Sequence, residues 1–229
     1  MLVNLGLIAL CWIALRFEKK DLRIFGFQPL PMRLFQFILG FFLTAALFTC
    51  INLIFGYSAD FSWVRNDNYG LRELGEGAYK TFNSVVLEEL VFRSYLLYKL
   101  FQLLGEKWAV LITSCCFGMY HWFTFGLLGN YPMMVWIFFY TWLWGLMFAY
   151  SYTRTGTILL PIGLHWGWNF FDQLIFEKNG DGMFKPLTSG QTIFLSQSKG
   201  FLITTLPTIV FAVIVILYFV RRRTVEVGK

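Results

Sequence analysis

A hydrophobic helix that carries three charges sets the terms for this chain. Ser84-Val-Val-Leu-Glu-Glu-Leu-Val-Phe-Arg-Ser-Tyr-Leu-Leu-Tyr98 is apolar enough to lie inside a bilayer, yet Glu88, Glu89 and Arg93 sit in its interior. Each ionisable group at that depth costs at least ~2.5–3.5 kcal/mol on the insertion scale, so each needs a reason. Helical spacing separates them. Glu89 and Arg93 are i and i+4 on one face and can neutralise each other. Glu88 points about 100° away and has no partner of opposite charge on its own helix. A carboxylate so placed is either protonated or held for chemistry.

The rest of the composition agrees with a membrane setting. Of 229 residues, 57% are hydrophobic, 21% aromatic and only 14% charged, too few polar groups to coat a water-facing surface. The chain reads as one membrane domain, residues 1–229, all-α and polytopic, with about seven transmembrane helices and the site inside the bundle. The expected spans are Met1–Leu15, Leu34–Tyr57, Phe82–Phe101, Trp108–Leu128, Tyr131–Tyr152, Thr157–Phe176 and Phe201–Val220. Ser58–Tyr79 fits an interfacial helix or a lid over a site, and with Glu177–Lys199 it is a polar segment on one side, long enough to cover an opening; Arg23–Arg33, with its prolines, reads as a loop or interfacial turn. The net charge of +6 does not point to nucleic acid, because the basic residues fall in short loops and at the C-terminus. With seven spans, twelve Lys and Arg lie on one side and six on the other, which puts the N-terminus outside and the C-terminus in the cytoplasm. The four cysteines lie in apolar runs with no metal-type spacing and read as packing residues.

The two histidines of the chain, His121 and His165, both fall inside expected spans. Phe117 and His121 share a face at i,i+4, as do His165 and Asn169. Counted at ~1.5 Å per residue, Glu88, His121, His165 and Asn169 reach ~14–21 Å above the cytoplasmic ends of their spans, nearly one level in the outer half of a ~30 Å core. A carboxylate and an imidazole can deprotonate one water, while a second imidazole and an amide donate to a developing oxyanion. His121, His165 and Glu88 could equally hold a divalent metal, zinc being the usual choice, with a position open for water. Both readings arrive at hydrolysis.

Glu88-Glu89-x-x-x-Arg93, Phe117-x-x-x-His121 and His165-x-x-x-Asn169, in that order on successive spans, resemble the three motifs of the CPBP (Abi) family. That family comprises the CaaX prenyl endopeptidases and the bacteriocin-processing and bacteriocin-immunity membrane proteins. The resemblance covers residues 79–176, the catalytic core. It implies an intramembrane endopeptidase, labelled a metalloprotease in the family, that acts on a peptide or protein substrate in a bacterial plasma membrane. It further implies Glu88 and His121 as the water-activating pair, His165 and Asn169 as oxyanion donors, and Glu89, Arg93 and Phe117 in support. Metal dependence stays open.

Plainer readings exist for each residue. Glu89–Arg93 is explained as a structural pair without any substrate. A lone histidine or asparagine within a span is often interhelical glue, and Glu88 could be a protonated hydrogen bonder. The tryptophans of the fifth and sixth spans read as packing, Asp172 as a loop-end charge, and Arg221–Arg223 as a stop-transfer anchor. Two further functions compete with the protease: a proton- or ion-coupled transporter, against which stands the lack of paired repeats or broken helices, and a non-catalytic immunity or scaffold protein. The matching depth of four polar residues favours the enzyme.

Overall fold

The computed structural model describes residues 1–177, 181–187 and 195–224. Its helices are α1 (Leu2–Phe17), α2 (Leu30–Ser58), α3 (Leu71–Arg93), α4 (Tyr95–Leu104), α5 (Glu106–Thr124), α6 (Tyr131–Thr155), α7 (Leu159–Phe170) and α8 (Gln197–Val220). Three of them, α2, α6 and α8, are long and apolar enough to cross a membrane. The other expected spans correspond to a 16-residue helix, an interrupted one (α3–α4), a 19-residue helix that is less apolar, and a 12-residue helix extended by a π-helical turn. The architecture is all-α and membrane-like, with one small sheet.

Three boundaries differ from expectation, each for a local reason. Helix α2 starts at Leu30 rather than Leu34, because Pro29 is its N-cap and Pro31 lies in the first turn, where no intrahelical N–H is lost. The third span is not continuous from Phe82 to Phe101. It breaks at Ser94, whose hydroxyl bonds back to the Leu90 carbonyl and whose backbone leaves the helical region (φ −102°, ψ −120°). Helix α3 also starts earlier, at Leu71, where the Glu73 carboxylate accepts from the Gly70 N–H at 2.8 Å. The end of the polar segment Ser58–Tyr79, residues 71–79, is therefore helix, one of the two forms expected of it, and runs on into the third span.

Four residues of that segment form a strand. β1 (Ser62–Arg65) pairs antiparallel with β2 (Phe184–Leu187), joining the two polar segments. Asn66 fixes the junction, its N–H on the Met183 carbonyl at 2.9 Å and its amide on the Gly182 carbonyl at 3.1 Å. Trp63 anchors the ribbon to α2 by donating to the Asn52 carbonyl at 2.9 Å.

Helix α7 is held almost backbone to backbone against α2. A Cβ on Gly163 would lie 2.2 Å from the Phe37 carbonyl oxygen, and one on Gly167 the same distance from that of Phe41. Gly40 returns the fit, since its Cβ would lie 2.8 Å from the Leu164 nitrogen. Such small-residue seams let helices approach where no hydrophobic effect drives them together. Because Gly163 and Gly167 occupy one face, residue 165 between them, about 200° from each, must face the opposite way. The seam thus aims His165 at the bundle interior. At the far end, Glu106 at the start of α5 accepts from Arg154 (2.6 Å), Thr153 (2.7 Å) and Thr224 (2.9 Å), tying α5, α6 and the end of α8 together.

Candidate active site

One cavity of about 520 Å³ lies between the helices, and Glu88, His121, His165 and Asn169 all line it. Helix α3 supplies the glutamate, α5 the first histidine, and α7 the second histidine with the asparagine. Glu88, His121 and His165 are at most 9% exposed. Glu88 Oε2 has no hydrogen-bond partner among the described residues and lies 3.8 Å from His165 Nε2, while Oε1 is 3.5 Å from the Ser84 hydroxyl.

Both imidazoles have their tautomers fixed by the partner of Nδ1. His121 Nδ1 lies 2.8 Å from the Phe117 carbonyl, which can only accept, so Nδ1 carries the hydrogen and Nε2 is the nitrogen left for the cavity. His165 Nδ1 lies 2.9 Å from Glu89 Oε1 and likewise donates. This last contact was not foreseen. Glu89 was expected to pair with Arg93 and not to lead the cavity; it does pair with Arg93, at 3.4 Å, and the same oxygen also orients His165.

Arg93 is fully buried, and besides Glu89 its guanidinium meets three aromatic rings. Its guanidinium carbon lies 4.2 Å from the Phe117 ring centroid, 5.3 Å from Phe148 and 5.6 Å from Phe92. Its Nη2 donates to the Gly145 carbonyl of α6 at 3.3 Å. Phe117 thus does more than pack: its carbonyl sets His121 and its ring covers Arg93. Phe148 was missed altogether. It stacks on His165 at 4.8 Å with an interplanar angle of 19°, holding the ring that Glu89 orients. No spacing rule within one helix could have found it, since it reaches the site from α6.

Asn169 sits one turn beyond His165 on the same face of α7 and lines the same cavity. Asp172 and Gln173, on the π-helical turn Phe171–Ile175, line it too, as do Thr204 and Thr205 on a second π-helical turn, Phe201–Thr205. Asp172 therefore borders the cavity, which the reading as a loop-end charge did not anticipate. As to a metal, no three His, Cys, Asp or Glu side chains among the described residues converge at a spacing that would hold an ion.

The four motif residues thus bring a carboxylate, two imidazoles presenting Nε2 and an amide around one cavity, which Asp172 and Gln173 also line. Residues 73–171 match the family model of the Rce1-like proteins, described as type II CAAX prenyl endopeptidase, which bears out the resemblance drawn from the three motifs. Three apolar helices and that match fit an integral membrane protein. Searches among curated proteins and among solved structures gave no match.

Proposed function

We propose that this protein is an intramembrane endopeptidase of the CAAX-protease type, cutting a peptide bond near the membrane surface with a water activated by Glu88 and His121. The observation that carries the reading is the open Glu88 Oε2, buried, unpartnered among the described residues, and 3.8 Å from His165 Nε2 in the cavity that His121 shares. A buried carboxylate left without a hydrogen bond costs free energy, and a bound water between it and an imidazole lone pair would recover it.

In the reaction, Glu88, assisted by His121 Nε2, takes one proton from water as the oxygen adds to the scissile carbonyl carbon. The carbonyl oxygen becomes an oxyanion and accepts from the Asn169 amide and from His165 Nε2–H. His165 has Nδ1–H committed to Glu89, so it donates from Nε2 in its imidazolium form, with Glu88 3.8 Å from that nitrogen. Collapse breaks the C–N bond, and the departing amine takes the proton held by Glu88. The acid product keeps the water oxygen. Glu89, Arg93 and Phe148 hold His165, and no step is routed through a metal.

In the bilayer the N-terminus is placed outside and Arg221–Arg223 in the cytoplasm, following the distribution of basic residues. The β1–β2 ribbon then lies on the outer side, and peptide enters beneath it. Maturation of a small membrane-associated or bacteriocin-like peptide is a task such a site would serve. The test is cleavage of internally quenched CaaX-type peptides, farnesylated and not, by the full chain in liposomes. Cleavage should occur with the wild type and fall by roughly 10²–10⁴-fold in His121→Ala. Absence of cleavage with every peptide, or equal rates in the variant, would contradict it.

A further inference from the structure

We propose that the arginine end of α8 is a binding site for an anionic phospholipid, its phosphate held by Arg221 and Arg222 and an acyl chain laid along Ile214, Leu217 and Tyr218. These five residues line a groove of about 450 Å³ that shares no residue with the catalytic cavity. Helical arithmetic puts them on one side. Counted from Ala212 at 100° per residue, Leu217, Arg221, Ile214 and Tyr218 fall at about 140°, 180°, 200° and 240°. Ala212 and Phe219, on the opposite side, pack in the core with Trp144 and Phe148. Ile214, Leu217 and Tyr218 are exposed, so in a bilayer this stripe of a membrane-crossing helix faces lipid.

Charge selects the occupant. At the same end of the bundle Arg23 is answered by Asp21, Lys99 by Glu18 and Arg154 by Glu106. The guanidinium groups of Arg221 and Arg222 meet no carboxylate among the described residues, and that of Arg222 is held over the Tyr218 ring at 4.4 Å. An apolar stripe that ends on two unanswered cations matches a phospholipid, since a guanidinium takes a phosphate through paired hydrogen bonds while the chain covers the stripe. In the proposed orientation this end meets the cytoplasmic leaflet, where anionic headgroups gather. A second copy of the chain fits less well, because a two-fold contact across this face would set the arginines against each other. Bound lipid also acts on the fold. The Arg222 carbonyl accepts from Arg154, which pairs with Glu106 at the start of α5, so holding Arg222 fastens α8 to α5 and α6 and stabilises the bundle.

The test titrates the full chain in detergent with dioleoylphosphatidylglycerol or dioleoylphosphatidylcholine, reading thermal midpoint and, by native mass spectrometry, retained lipid. Phosphatidylglycerol should raise the midpoint and be retained, and phosphatidylcholine should do neither. An arginine near an anionic headgroup is worth roughly fivefold in affinity, so Arg221→Gln/Arg222→Gln should need about 25-fold more phosphatidylglycerol for the same effect. Lys19→Gln/Lys107→Gln removes the same charge from exposed positions at that end but outside the groove, and should titrate as the wild type does. The proposal is overturned if phosphatidylcholine or soluble glycerol phosphate acts as well as phosphatidylglycerol, if the lysine pair weakens binding as much as the arginine pair, or if neither lipid is retained. Each of these results leaves the endopeptidase reading standing, since peptide cleavage is measured separately.

Discussion

Two faces of α3, one residue apart, show opposite ways of burying a carboxylate. On the Glu89 face one oxygen, Oε1, meets both Arg93 at 3.4 Å and His165 Nδ1 at 2.9 Å, and aromatic rings surround the guanidinium. On the Glu88 face the helix opens to the cavity; Oε2 of each carboxylate is left without a hydrogen bond among the described residues, but of the two side chains it is Glu88 that lines the cavity. The first face is turned away from the cavity, its carboxylate paired with a buried cation. The second faces the cavity that His121, His165 and Asn169 share. The difference teaches that identical side chains on one helix divide into one paired within the fold and one turned to the cavity by a rotation of about 100°.

The largest change should come from breaking the paired face. Arg93→Met leaves Glu89 buried with only His165 to answer it, and removing one partner of a buried pair costs about 3–5 kcal/mol. Thermal unfolding in detergent should show a large drop in midpoint, with activity lost as a consequence. A smaller effect is expected from Gly163→Val, which puts a side chain where a Cβ alone would approach the Phe37 carbonyl oxygen to 2.2 Å. Overpacking of this kind costs about 1–3 kcal/mol. The displaced α7 would carry His165 away from Glu89, so kcat should fall more than stability does, which parallel rate and melting measurements would reveal. The smallest effect belongs to a pair that resembles Glu89–Arg93 in spacing alone. Arg72 and Glu76 are also i,i+4, but their side chains are 84% and 55% exposed. Water answers both charges there, so Arg72→Ala should leave melting and cleavage unchanged.

Much of the site was legible in the sequence because intramembrane charge is rare and helical geometry is strict. Glu88, His121, His165 and Asn169 could be set at one depth by counting residues, and Glu89 could be assigned to Arg93 by spacing. The bond from His165 to Glu89 was not legible, since it depends on how α7 is rotated against α3. The clue to that rotation was present in Gly163-x-x-x-Gly167, a seam that fixes which face of α7 turns inward. The β1–β2 ribbon was hidden for a different reason: Ser62 pairs with Leu187, and nothing local in four-residue strands announces so distant a partner. The break at Ser94 arises from a single hydroxyl competing for the Leu90 carbonyl, a choice that hydrophobic patterning does not register.

The central claim is that Glu88 is the reagent and Glu89 the scaffold. The direct measurement sets Glu88→Gln beside Glu89→Gln in the full chain, with cleavage rate and thermal midpoint recorded for each. Glu88→Gln should lose roughly 10²–10⁴-fold in kcat while its midpoint holds, because the open oxygen contributes little to the fold. Glu89→Gln should lower the midpoint sharply, because it leaves Arg93 charged and buried. A Glu88→Gln protein that still cleaves at the wild-type rate, with Glu89→Gln inactive yet fully stable, would reverse the assignment.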